Sequence, residues 1–184
     1  MAGFIDIACN FTHKSFKHNL EEVINNAEHA GVEKFVLLCA SLTDLDPIKQ
    51  IQNNAPNKFF ISAGIHPHHA TETVEINYDQ LLNQLQSIAP HAIGETGLDY
   101  FRNISQPDIQ KESFRMHIEI AKELNLPLYL HQRDAHNDFL RIIKENRKNF
   151  PKFVVHCFTG TQKELDEYLD LGAYIGLTGW ICDA

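Results

Sequence analysis

The stretch Ala92-Ile93-Gly94-Glu95-Thr96-Gly97-Leu98-Asp99 begins as an apolar strand and ends in residues that can bind a cation. Short segments rich in Val, Ile, Leu and Phe recur before and after it. They lie near residues 4–10, 34–40, 58–65, 91–95, 126–131, 152–157 and 173–178. Near-continuous apolar runs of this length are typical of strands that are buried on both faces. The sequence therefore predicts seven such strands.

Amphipathic helical patterns lie between most of these strands. Leu20, Val23, Ile24 and Ala27 recur at helical spacing, and Gly31 then stands where a helix commonly ends. Later patterns predict helices over Tyr78–Ile88, Gln110–Leu124, Ala135–Lys148 and Gln162–Leu171. Strands that alternate with helices imply a parallel sheet with right-handed crossovers, so the predicted fold class is α/β.

Seven strands in this order fit either a doubly wound sheet or a barrel, and the polar residues favour the barrel. No Gly-x-Gly-x-x-Gly follows the first strand to indicate a dinucleotide site. Strands three to six instead run into residues able to bind a metal or a phosphate. These segments are Gly64-Ile65-His66-Pro67-His68-His69, Gly94–Asp99, Leu130-His131-Gln132-Arg133-Asp134 and His156-Cys157-Phe158-Thr159-Gly160. In a β/α barrel the carboxyl ends of the strands form the active-site face, so these segments would converge.

Glu95, His131 and His156 are the candidate metal ligands. Side chains alternate along a strand, so each candidate shares a face with the residue two positions before it, namely Ile93, Tyr129 and Val154. If those faces point inward, the three candidates meet. One carboxylate and two imidazoles suit Zn²⁺, Mn²⁺ or Co²⁺, whereas Mg²⁺ would rely more on Glu95 and on retained waters. Such an ion can polarise a phosphoryl oxygen and activate a bound water, which is chemistry for hydrolysis.

The remaining histidines and the cysteines have simpler interpretations. His68, His69, His117 and His136 fall in loop or helix patterns, so we expect them on the solvated surface. The four cysteines, at positions 9, 39, 157 and 182, are far apart and form no close pair of the kind that binds zinc. We expect reduced thiols in the core, including Cys157 beside His156.

Composition narrows the class of protein. The chain has 184 residues, 43% of them hydrophobic and 22% charged, as in a soluble globular protein of one domain. Its net charge of −8 argues against a broad basic surface for duplex nucleic acid, although metal ions can screen phosphates from an acidic protein. The sequence shows neither a signal peptide nor an apolar run long enough to cross a bilayer, so we expect a cytoplasmic protein that contacts no membrane.

With these motifs in the observed order, the sequence resembles the TatD family of metal-dependent deoxyribonucleases. The resemblance rests on Gly64–His68, Ala92–Asp99, His131–His136 and His156–Gly160, and it extends from Phe4 to the last residue. It implies a TIM-type β/α barrel of the metal-dependent hydrolase kind. The implied activity is 3′-to-5′ exonucleolytic hydrolysis of single-stranded DNA, with RNA as a further substrate, in DNA repair.

The resemblance also implies roles for individual residues. Glu95, His131 and His156 would hold a divalent metal ion, with Mg²⁺ favoured and Mn²⁺ or Zn²⁺ as alternatives. Glu95 and His66 would be catalytic, and Arg133 would bind the scissile phosphate in bidentate fashion. Many relatives carry His-x-His where this chain has Ala8-Cys9-Asn10; Asn10 would supply an oxygen and contact the substrate.

The family pattern continues beyond residue 184 with a helix and with a strand whose Asp is a further metal-site residue. We therefore expect residues 1–184 to form a single hydrolase domain with about seven of eight strands, lacking the C-terminal strand and helix. Two alternatives stay open: an inactive truncated fragment with a partial metal site, and an amidohydrolase acting on a small molecule. Open access with phosphate-binding groups would favour the nuclease, and an enclosed apolar pocket the amidohydrolase.

Overall fold

Seven parallel strands in chain order form one sheet, curled into a half-barrel, in the computed structural model, which describes residues 3–182. The strands are β1 (Phe4–Cys9), β2 (Val32–Leu38), β3 (Phe59–Ala63), β4 (Ala92–Asp99), β5 (Leu128–Arg133), β6 (Phe153–Val155) and β7 (Tyr174–Ile175). Each strand pairs in parallel with the next one in the chain. The predicted α/β class, barrel curvature and seven strands are confirmed.

Six α-helices connect these strands in the described part of the chain. They are α1 (Leu20–His29), α2 (Leu45–Asn54), α3 (Tyr78–Ser87), α4 (Pro107–Leu124), α5 (His136–Asn146) and α6 (Gln162–Asp170), and short 3₁₀ turns cover Lys14–Phe16, Leu42–Asp44, Pro67–Val74 and Gly179–Cys182. Helix α4 begins three residues before the predicted start because Pro107 suits the first helical position. None of the described helices combines the length and the apolarity that a bilayer crossing requires.

The main hydrophobic core joins the helices to the sheet. Phe35, Ile61 and Ile93 from the strands are fully buried, as are Phe114 and Phe139 from α4 and α5. The rings of Phe114 and Phe139 stack with their centroids 5.3 Å apart. Full burial of such a side chain contributes about 1.5–3 kcal/mol. This core gives the strand ends a rigid support.

The inner face of the half-barrel lines a second apolar space, an inner cavity of about 640 Å³ that is open to solvent and includes Ile5, Val36, Tyr129 and Val154 in its lining. Within residues 3–182, β1 and β7 are the two edges of the sheet and do not pair with each other. Exposed apolar side chains accompany these edges, among them Phe4, Ile5, Tyr174 and Leu177.

The cysteines follow the core prediction only in part. Cys9 and Cys39 are buried free thiols, and burial raises the pKa of Cys39 to about 12. Cys157 is half-buried, with its Sγ 3.4 Å from Thr178 Oγ1, and Cys182 is exposed. The core assignment is wrong for these last two, because Cys157 lies two residues beyond the end of β6 and Cys182 lies in the 3₁₀ turn that follows β7.

His117 is fully buried, so the expectation of a solvated position is wrong. Its spacing from Phe114 and Ala121 on α4 puts it on the buried face of the helix. The backbone N–H of Ile65 donates to His117 Nε2 at 3.0 Å, so the neutral ring carries its hydrogen on Nδ1 and donates to the carbonyl of Ser113 at 2.8 Å. Burial lowers the pKa of His117 to about 4.

Acid should therefore destabilise the protein through His117. The unfolded chain binds a proton near pH 6.5, whereas the folded chain binds it only near pH 4, so the stabilisation is complete above pH 6.5 and is lost as the pH falls towards 4. We expect this residue to account for a loss of roughly 2 kcal/mol between pH 7.5 and pH 5. Urea unfolding at both values should show a smaller loss for His117→Gln, and an equal loss in the two proteins would contradict the assignment.

Candidate functional site

Three imidazoles surround one carboxylate oxygen at the carboxyl ends of the strands. Glu95 Oε1 lies 2.5 Å from His156 Nε2, 3.0 Å from His131 Nδ1 and 3.4 Å from His66 Nε2. Glu95 itself is buried. The structure thus brings together Glu95 from β4, His131 from β5, and His66 and His156 from the residues that follow β3 and β6. The barrel interpretation of the sequence expected this convergence.

The pairing of β4 with β5 explains why Glu95 faces His131. Gly97 pairs with His131 in parallel register, so Glu95, two residues earlier, points to the same side. Ile93, however, pairs with Leu128, and β4 holds one extra residue between Ile93 and Thr96. The prediction that Ile93 and Glu95 share a face is wrong, because an extra residue reverses the alternation. Ala92 instead lines the inner cavity together with Tyr129 and Val154.

Gly97 permits the close approach of β4 and β5. Its φ is +138°, and a Cβ at this position would lie 2.0 Å from the backbone oxygen of His131. Any larger residue must push apart the two strands that carry Glu95 and His131.

Asp99 is a second buried carboxylate in the site, and the sequence motifs had assigned no individual role to it. Its Oδ2 lies 2.7 Å from His68 Nε2 and 3.3 Å from His131 Nε2, and its Oδ1 accepts the backbone N–H of Arg102 at 2.8 Å. Burial by itself raises the pKa of Asp99, but these partners outweigh it and hold the pKa well below the usual range. The missed signal was spacing, since Asp99 lies four residues after Glu95 and therefore on the same face of β4.

His68 and the other secondary histidines differ in their surroundings. The expectation of a solvated His68 is wrong, because the turn after β3 brings its ring to Asp99. His69 is exposed as expected. His136 is half-buried away from the site, where it contacts the hydroxyl of Tyr168 and the carboxylate of Glu167, each at 2.8 Å.

His131 lies between two carboxylates, Glu95 at Nδ1 and Asp99 at Nε2. Burial lowers the pKa of His131, but the two acids outweigh burial and raise it to about 9. Carboxylates only accept hydrogen bonds, so a neutral ring satisfies one of them and leaves its lone pair against the other. If Nε2 donates to Asp99, a cation at Nδ1 resolves the repulsion from Glu95. This arrangement fits a metal ion.

The three histidines around Glu95 Oε1 are not equivalent as possible metal ligands. Ligand atoms of His66, Glu95 and His131 all lie within 4.8 Å of one another. The backbone N–H of His68, however, donates to His66 Nδ1 at 3.1 Å, so the neutral ring carries its hydrogen on Nε2, the atom that faces Glu95. Burial lowers the pKa of His66 and favours this neutral form. In this neutral form His66 donates a hydrogen towards Glu95, whereas Glu95, His131 and His156 could hold a metal ion.

A pocket of about 290 Å³ opens above this cluster and is lined by Asn10, Ala40, His66, His68, His69, Glu95, Asp99, Arg102, His131 and Arg133. Asn10 and Arg133, the predicted substrate-binding residues, both border it. Among residues 3–182, neither Arg102 nor Arg133 has a carboxylate oxygen within the 4.0 Å of an ion pair. The pocket thus combines an acidic, imidazole-rich floor with two unpaired guanidinium groups.

Residues 5–184 match the family model described as TatD related DNase. The chain belongs to the TatD family. The TatD family consists of metal-dependent hydrolases, so this TatD-family chain is a hydrolase of the nuclease class.

Individual TatD-family proteins resemble this chain in sequence and in structure. The protein named 3′-5′ ssDNA/RNA exonuclease TatD from Erwinia billingiae is 38% identical over 178 residues, which cover 97% of this chain and 68% of the relative. A solved TatD homologue from Escherichia coli superimposes with a TM-score of 0.84 at 29% identity, over 97% of this chain and 69% of that one. A TatD-family hydrolase from Entamoeba histolytica gives a TM-score of 0.86 at 31% identity, over 96% and 65% of the two chains.

Substitution of Asp99 should weaken metal binding without removing a ligand. Asp99→Asn replaces an acceptor beside His131 Nε2 with an amide and releases the tautomer that leaves Nδ1 free, so we expect Mn²⁺ affinity to fall about 10- to 100-fold. Isothermal titration calorimetry measures the change. Asp108→Asn, at a side chain that is 94% exposed, is the matched control and should bind like the wild type. Equal affinity in all three proteins would refute the role of Asp99.

Gly97→Ala should destabilise the fold and disturb the site together. The added Cβ meets backbone rather than a movable side chain, and the positive φ adds strain, so we expect a loss of roughly 1–3 kcal/mol in the free energy of unfolding. Gly179→Ala is the control, since a Cβ there has no neighbour within 4 Å. Urea unfolding of the two variants makes the comparison. Matching midpoints would show that β4 and β5 can separate freely.

Proposed function

We propose that this chain removes nucleotides from the 3′ end of single-stranded DNA, and of RNA, by metal-dependent hydrolysis of the phosphodiester bond. The observation that carries the proposal is the convergence of His66, His131 and His156 on one oxygen of Glu95. The rim of the pocket above them carries Arg102 and Arg133, which form no ion pair with a carboxylate of residues 3–182. An anionic floor attracts a cation, and a cationic rim attracts a phosphate. The Erwinia billingiae relative, named as a 3′-5′ ssDNA/RNA exonuclease, supports this polarity and these substrates.

Glu95 Oε1, His131 Nδ1 and His156 Nε2 would hold the metal ion. When bound, a divalent ion lowers the pKa of a water molecule and polarises a phosphoryl oxygen. We propose Mg²⁺ as the ion, and one carboxylate with two imidazoles also suits Mn²⁺ and Zn²⁺. A metal ion at His131 Nδ1 would take the place of the second ring proton. The negative charges of Glu95 and Asp99 would then both face a positive or hydrogen-donating group.

The remaining residues would bind and orient the substrate. Arg133 presents a planar guanidinium that can bind two oxygens of the scissile phosphate. His66 would donate its Nε2 hydrogen to that phosphate, because Nδ1 already accepts from the backbone of His68. Glu95 would act as the catalytic carboxylate that orients the attacking water. The amide of Asn10 would contact the substrate from the end of β1.

The lining of the pocket favours a nuclease over an amidohydrolase for a small molecule. A pocket bordered by Asn10, Arg102 and Arg133 is polar and cationic at its rim. An amidohydrolase with a small apolar substrate needs an enclosed, largely apolar cavity. The family resemblance also supports a role in DNA repair. It further supports a single hydrolase domain over residues 1–184.

Glu95→Ala and His156→Ala should each reduce exonuclease activity at least about 100-fold, because either change removes a proposed ligand. The assay follows 5′-labelled single-stranded DNA in Mg²⁺, Mn²⁺ or Zn²⁺, so that shortening from the 3′ end gives a ladder. A labelled RNA of the same sequence tests the second substrate. Glu112→Ala and His18→Ala, at exposed positions, are matched controls.

A chelator should abolish the ladder and excess metal should restore it. No shortening by a soluble, folded sample with bound metal would refute catalysis by this chain and leave the inactive-fragment alternative. Release of the 5′ label as the first product would contradict the polarity. Full activity of both alanine variants would refute the ligand assignment.

A further inference from the structure

We propose that the loop between β4 and α4, residues 100–105, forms a second subsite for the nucleic-acid strand. In this subsite the ring of Phe101 stacks on a base, and the guanidinium of Arg102 binds a phosphate next to the scissile one. The inference rests on the proposed function and adds residues that the family resemblance did not assign. We name the loop the β4–α4 platform.

The platform is anchored to the metal pocket at its first residues. The backbone N–H of Tyr100 donates to the carbonyl of Arg133 at 2.9 Å. The backbone N–H of Arg102 donates to Asp99 Oδ1 at 2.8 Å, while the other oxygen of Asp99 faces His68 and His131. The same buried carboxylate therefore orients the histidines and sets the height of the platform above them.

Hydrogen bonds also fix the C-terminal end of the platform, at Ser105. Ser105 is buried, and its hydroxyl donates to the carbonyl of His68 at 3.2 Å. The side-chain amide of Gln110, itself buried, donates to the carbonyls of Ser105 at 2.7 Å and Asp99 at 3.1 Å. A backbone fixed at both ends loses little conformational entropy when a ligand binds.

The side chains between these anchors point into solvent. Phe101 is 58% exposed and Ile104 is 64% exposed, and Arg102 and Asn103 are exposed as well. Packing does not require an aromatic ring here, since the ring contributes little to the core. An exposed aromatic ring on a rigid loop is the usual stacking surface for unpaired bases.

Charge identifies the occupant as a nucleic acid. The chain carries a net charge of −8, yet Arg102 and Arg133 both border the pocket that holds Glu95 and Asp99. Neither guanidinium is paired with a carboxylate among residues 3–182, so both are free to bind phosphates. The guanidinium of Arg133 lies over the ring of Phe101, 4.0 Å from its centroid. A phosphate-binding group and a base-stacking group therefore lie next to each other at the rim, as suits the binding of a single strand.

Strand binding by the whole 184-residue chain tests the platform. Fluorescence anisotropy follows a 5′-labelled oligodeoxynucleotide in the presence of a chelator, which prevents hydrolysis. A second strand of equal length carries abasic sites at its three 3′-terminal positions. The variants are Phe101→Ala, Phe101→Trp and Arg102→Ala. The controls are Phe4→Ala, at a ring that is 69% exposed at the start of β1, and Arg115→Ala, at an exposed position of α4.

The effect of removing the Phe101 ring should depend on whether the 3′ end of the strand carries bases. We expect Phe101→Ala to weaken binding of the intact strand roughly 5- to 100-fold, to leave the abasic strand unchanged, and Phe101→Trp to restore the affinity. Arg102→Ala should weaken binding of both strands and reduce the slope of log affinity against log salt by about 0.7, the value for one phosphate contact on a single strand.

Two results would overturn the platform. Equal weakening of both strands by Phe101→Ala would show that the ring only supports Arg133, and it would refute stacking. Unchanged affinity and salt slope in Arg102→Ala would refute the phosphate contact. If the wild type shortens DNA while the platform variants bind normally, this inference alone fails. If the wild type neither binds nor shortens a strand, the proposed function fails first.

Discussion

The interaction on which the rest of this structure depends is the burial of the Glu95 carboxylate among three imidazoles. Transfer of an ionised carboxylate from water into a protein interior costs several kcal/mol unless partners compensate for it. Burial by itself raises the pKa of Glu95, but the charge of His156 and the hydrogen bonds from His131, His156 and His66 outweigh burial and hold the pKa well below its usual value. Four strand ends must therefore meet within hydrogen-bonding distance. The curvature of the sheet and the extra residue in β4 serve that requirement.

Asp99 connects the histidines at the floor of the pocket to the loop at its rim. One of its oxygens faces His68 and His131, and the other accepts the backbone N–H of Arg102. The position of the histidines and the position of the β4–α4 platform are thus set by a single buried side chain. Because the ends of β4 and β5 are also joined through Tyr100 and Arg133, the pocket and the rim form one rigid unit.

An acidic protein can act on a polyanion when its carboxylates lie at the bottom of the pocket and its cationic side chains lie at the rim. The floor of the pocket is anionic and suits a cation, while the guanidinium groups of Arg102 and Arg133 lie at the rim without carboxylate partners among the described residues. Long-range electrostatics from a chain of charge −8 does not favour tight, unspecific binding of duplex nucleic acid. Local phosphate contacts and base stacking suit a flexible single strand better.

The sequence by itself determined the α/β class, the seven strands, the family, and the convergence of Glu95, His131, His156 and His66, because apolar periodicity and strand-end motifs are local properties of a chain. The tertiary structure decided which side chains are buried and which way β4 faces. His117 meets Ile65 across 52 residues, and the extra residue in β4 reverses a side-chain alternation that local patterns treat as regular. Burial and strand register depend on partners far along the chain, and only the folded molecule brings those partners together.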